Sequence, residues 1–62
     1  MKTYEFNSER NWNKCYDALD SENRWEHNFC SYGYKAITVF DETTDKFLLN
    51  FCKEHRIAIK EI

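Results

Sequence analysis

The chain has 62 residues, 42% of them hydrophobic and 32% charged, a composition that belongs to a globular protein and fills one domain, residues 1 to 62. Nine basic residues against eleven acidic ones give a net charge of −2, which provides no general attraction to phosphate and disfavours duplex nucleic acid as a partner. No apolar run approaches the roughly twenty residues needed to cross a bilayer, and Met1 to Glu5 carry no apolar leader, so the expectation is a cytoplasmic protein without membrane contact.

Residues 2 to 6 alternate, with Tyr4 and Phe6 on one side and Thr3 and Glu5 on the other, the period of a half-buried first strand. Ser8 stands where a helix N-cap belongs. After it, Trp12, Cys15, Tyr16 and Leu19 fall at i, i+3, i+4 and i+7, which predicts an amphipathic helix over residues 9 to 22. Trp25, His27 and Phe29 then alternate with Glu26, Asn28 and Cys30, which predicts a second strand over residues 24 to 30. An extended loop over residues 24 to 33 is the alternative.

Ser31, Tyr32 and Gly33 read as a turn, and residues 34 to 40, with Ile37, Thr38 and Val39 in succession, read as a third strand closing a hairpin. Asp41 is placed to cap a second helix. Glu42 and Asp45 lie in its first turn, and Lys53, His55 and Arg56 lie near its end, the charge order that the helix dipole favours. Its buried stripe is Leu48, Phe51 and Cys52, with Phe47 at the margin. Residues 57 to 62 predict a short last strand with Ile57 and Ile59 facing one way.

The order β-α-β-β-α-β predicts an α+β fold of compact ferredoxin-like type, a four-stranded antiparallel sheet with both helices on one face. Eleven aromatics outnumber the eight Leu, Ile and Val residues, so large rings must supply much of the core. One glycine and no proline predict short loops. Three cysteines, Cys15, Cys30 and Cys52, cannot all pair within one chain, and free, mostly buried thiols are expected.

A ferredoxin-like sheet leaves one face uncovered by its own helices, and functional residues are sought there. The predicted register puts Thr3, Glu5, Glu26, Asn28, Cys30, Tyr34, Ala36, Thr38, Phe40, Ala58, Lys60 and Ile62 on that face. Aromatics dominate binding hot spots, so the candidate partner-binding residues are Trp25, Tyr32, Tyr34 and Phe40. The leading expectation is a non-catalytic protein-binding module that forms a homodimer, an inhibitor or adaptor of the short kind encoded by phages and other mobile elements, with no cofactor.

The alternative is a single-stranded nucleic-acid-binding domain, in which those rings stack on bases. Ser31 to Phe40 is similar in part to the third strand of the RNA-recognition motif: Gly33 is followed by an aromatic and Phe40 closes the stretch, but an extra residue intrudes and no basic residue precedes the glycine. A further alternative is a small zinc domain, because His27 and Cys30, and Cys52 and His55, form two soft pairs at x₂ spacing. Catalytic candidates are sparse. Cys30 near His27 and His55 beside Glu54 lack any glycine-rich elbow or phosphate loop, so no enzymatic activity is expected. The acidic groups around residues 17 to 26 and 41 to 45 read mainly as solvated faces and helix starts.

Overall fold

The computed structural model describes residues 1–22, 28–33 and 35–62, apart from the side chains of Glu22 and Tyr32. Strand β1 (Lys2–Phe6) buries Tyr4 and Phe6 and exposes Lys2 and Glu5, as its alternation requires. Helix α1 (Glu9–Glu22) follows after Ser8, whose Oγ accepts the Asn11 N–H at 3.2 Å. Trp12, Cys15 and Leu19 form its buried stripe.

Strand β2 (Phe29–Tyr32) and strand β3 (Ala36–Val39) form the hairpin, joined by a short loop whose Gly33 has a φ of 63°, a left-handed conformation open to glycine at little cost. The hairpin is displaced from the expected position. Ser31 and Tyr32, expected in the turn, pair with Ile37 and Ala36 in the sheet. Ser31 is held in the strand because its Oγ accepts the Trp12 Nε1–H at 2.7 Å and reaches the Ala36 carbonyl at 3.3 Å. The expected start of β2, residues 24 to 27, lies outside the described residues.

Helix α2 (Glu42–His55) begins as expected: Asp41 is extended, and its carboxylate accepts the Thr44 N–H at 3.0 Å. Its end is sharp. Arg56 adopts the left-handed conformation with φ of 55°, and the Ile57 N–H reaches back to the Cys52 carbonyl at 2.9 Å, the six-to-one bond of a Schellman turn. Ile57 is thereby buried ahead of the last strand, β4, which shortens to Ile59–Glu61.

The strands are antiparallel in the order β2-β3-β1-β4. Tyr4 lies opposite Ile37, Lys2 opposite Val39, and Phe6 opposite Ile59, so these side chains share one side of the sheet. There Tyr4, Phe6, Ile37 and Val39 join Trp12, Cys15 and Leu19 of α1, Leu48 and Cys52 of α2, and Ile57 in one core cluster. Rings supply its margin: Tyr16 lies against Trp12 at 5.2 Å and edge-on to Phe29 at 5.5 Å. Among the described residues no helix is long and apolar enough to cross a membrane.

Candidate functional site

Two polar arrangements distinguish the two sides of the sheet. On the helix side, the Tyr4 hydroxyl donates to Asp45 Oδ1 at 2.6 Å, and Lys2 Nζ lies 3.6 Å from the other carboxylate oxygen. Asp45 is only 8% exposed. Burial, reinforced by the neighbouring Asp45 carboxylate as hydrogen-bond acceptor and charge, pushes the Tyr4 phenol well above its ordinary range. The hydroxyl is therefore a fixed donor that bonds the sheet to α2. Asp45 was expected to serve only the helix dipole. Its place was nevertheless encoded: residues 45, 48 and 52 stand at i, i+3 and i+7, so the buried stripe of α2 runs back through it.

Across the sheet, alternation places Thr3, Glu5, Cys30, Ala36, Thr38 and Lys60 on the side away from the core. Thr3 and Thr38 share a hydrogen bond between hydroxyls at 2.8 Å, and Thr38 is buried. Glu5 stands opposite Lys60 in the register, and both are exposed. At one end of this face, Phe40 and Ile62 continue the alternation past the strands. The Phe40 N–H bonds to the Asn28 carbonyl at 2.8 Å, and the Ile62 N–H to the Thr3 carbonyl at 2.9 Å. Phe40 is 47% exposed, Ile62 65% and Met1 87%.

Met1 and Phe40 also line one shallow groove with Lys2, Asp41 and Asp45, where β1 and β3 meet the start of α2. The Asn28 side-chain amide donates to Asp41 at 3.1 Å, tying the entry of β2 to the helix cap. Hydrogen bonding by the Thr44 side chain, then by its backbone N–H, holds the Asp41 carboxyl below the usual carboxylate range.

Of the residues singled out from the sequence, Phe40 is exposed at the rim of this face. Trp25 and Tyr34 lie outside the described residues, as does the side chain of Tyr32, whose backbone pairs with Ala36. The zinc candidates are dispersed where they are described. Cys30 is half-buried on β2, Cys52 is in the core with its Sγ 3.6 Å from that of Cys15, and the exposed His55 ring rests 4.1 Å from that of Phe51. His27 lies outside the described residues. Cys52 and His55 share α2, yet one thiol is committed to the core while the imidazole covers a surface ring. Among the described residues no three His, Cys, Asp or Glu side chains converge as metal ligands would. Glu54 beside His55 is exposed.

Sequence reasoning placed Phe40 and Ile62 on this face and missed Met1. The signal for Met1 was the same alternation that defined β1, continued one residue before the strand. Comparison with known proteins finds no family model, no curated protein and no solved structure that matches the chain.

Proposed function

We propose that this chain is a non-catalytic protein-binding domain of ferredoxin-like topology that associates with a second copy of itself through the sheet face opposite its helices, and that it serves as an inhibitor or adaptor. The observation carrying this reading is the position of Met1, Phe40 and Ile62: by the strand register, three of the four large exposed hydrophobic side chains among the described residues fall toward one end of one face. Single exposed apolar side chains are ordinary, whereas a contiguous group of them marks a contact surface. The fourth, Leu49, is on α2.

The charges beside the patch favour self-association over an unrelated partner. Among the described residues Glu5 and Lys60 give the face charges of both signs, which a two-fold axis can set against each other in a self-complementary contact. A domain of 62 residues also gains from any added apolar burial, since its own core is near the lower size limit. The strand order β2-β3-β1-β4 within β-α-β-β-α-β supports the ferredoxin-like assignment.

Sedimentation equilibrium between micromolar and millimolar chain tests the reading. A reversible monomer–dimer equilibrium is expected, and a Phe40→Ser, Ile62→Ser double variant should stay monomeric while each substitution costs less than about 1 kcal/mol of stability. A wild-type mass that remains monomeric throughout overturns the dimer. Oligonucleotide binding that weakens with added salt would transfer the face to single-stranded nucleic acid.

A further inference from the structure

Helices α1 and α2 meet at two thiols. Cys15 is 0% exposed, Cys52 is 3% exposed, and their Sγ atoms are 3.6 Å apart although 37 residues separate them in the chain. The third thiol, Cys30, lies at a register position on the other side of the sheet. A buried lone cysteine packs as a small hydrophobe. Two thiols in van der Waals contact from different helices form a different chemical unit, because sulfurs 3.6 Å apart are close to the separation of about 2.05 Å at which a disulfide forms, given a Cβ–S–S–Cβ dihedral near about 90°.

We propose that Cys15 and Cys52 are a redox-modification site, which hydrogen peroxide converts to an intramolecular disulfide locking α1 to α2. Peroxide suits the site because it is small enough to enter a core that opens only transiently. The two thiols share one hydrogen bond in which either sulfur can donate, so either can attack as the thiolate while the other resolves.

With Cys52 as the thiolate, its sulfur attacks one peroxide oxygen, the O–O bond breaks, and the released hydroxide takes the proton that Cys52 gave up, leaving a sulfenic acid and one water. Cys15 then attacks the Cys52 sulfur. The S–S bond forms as the S–O bond breaks, and the departing hydroxide carries the Cys15 proton away as a second water. Two thiols and one peroxide thus give one disulfide and two waters: each sulfur loses one electron, and the peroxide gains two.

The experiment treats the folded full chain with graded hydrogen peroxide, alkylates remaining thiols in denaturant, and maps the peptides. The expected result is a monomer lighter by two hydrogens with Cys15 joined to Cys52 and Cys30 alkylated, reversed by a thiol reductant. Cross-linking a loop of this length should raise Tm by roughly 10 °C or more. The Cys30→Ser variant should behave identically, and its use excludes exchange with the third thiol. The proposal is overturned if Cys15 and Cys52 remain alkylatable while Cys30 is oxidised, if they pass to sulfinic acid without joining, or if the joined form melts no higher than the reduced one. Because the map is made on the unsubstituted chain, the result does not depend on any core variant folding.

Discussion

The two sides of the sheet hold polar groups in opposite ways. Under the helices, Tyr4 and Asp45 form a charge-assisted hydrogen bond within an apolar cluster that also contains Leu48 and Ile37, both 0% exposed. On the other side, Thr3 and Thr38 pair two neutral hydroxyls between strands, and among the described residues the large exposed apolar groups lie toward the end rather than the centre. The first side fixes where α2 sits. The second leaves apolar side chains accessible at its end while a pair of hydroxyls joins neighbouring strands at its centre, so the two faces divide buried from exposed apolar surface.

The largest expected effect on the helix side is that of Leu48→Ala. Leu48 is fully buried, and its truncation should cost about 2 to 5 kcal/mol, enough to leave a domain of this size largely unfolded by urea titration or circular dichroism. A loss below about 1 kcal/mol would show that the helix side packs loosely.

Tyr4→Phe comes next, with an expected cost of about 1.5 to 3 kcal/mol for removing a hydrogen bond to a charged acceptor. Its sharper signature is alkaline. The unfolded chain loses the Tyr4 proton near pH 10, while the folded chain retains it to higher pH. The unfolded state therefore binds fewer protons, and stability falls as pH climbs from about 10. The Phe variant should lose that part of the decline in pH-dependent urea midpoints.

The smallest effect is expected across the sheet. Thr38→Val should cost about 0.5 to 1.5 kcal/mol, and adding Thr3→Val should restore most of it, because both hydroxyls are then gone together. Additive costs in that double-mutant cycle would remove the hydroxyl pair as the organiser of this face.

Local signals were legible in the sequence. The bounds of α1, the alternation of β1 and the Asp41 cap all follow from residues within one or two turns of each other. The position of β2 was not, because what keeps Ser31 in the strand is Trp12, 19 residues earlier. Likewise the periodicity places Cys15 and Cys52 each on a buried stripe, yet only the crossing of the helices sets one against the other. Phe40 was legible as an exposed aromatic. Its company with Met1 and Ile62 depends on which strands are neighbours, and that order is fixed by pairing across the chain.

The sheet ends in two short borders, β2 with four residues and β4 with three, and Lys60 and Glu61 are charged and exposed on the latter. Free strand edges invite uncontrolled chain-to-chain growth, and brevity and charge are what discourage it. An assembly extended edge to edge would therefore be short of hydrogen bonds from the start. A two-fold contact made across the face would close on itself at two copies, so face pairing, unlike edge pairing, stops short of a fibre.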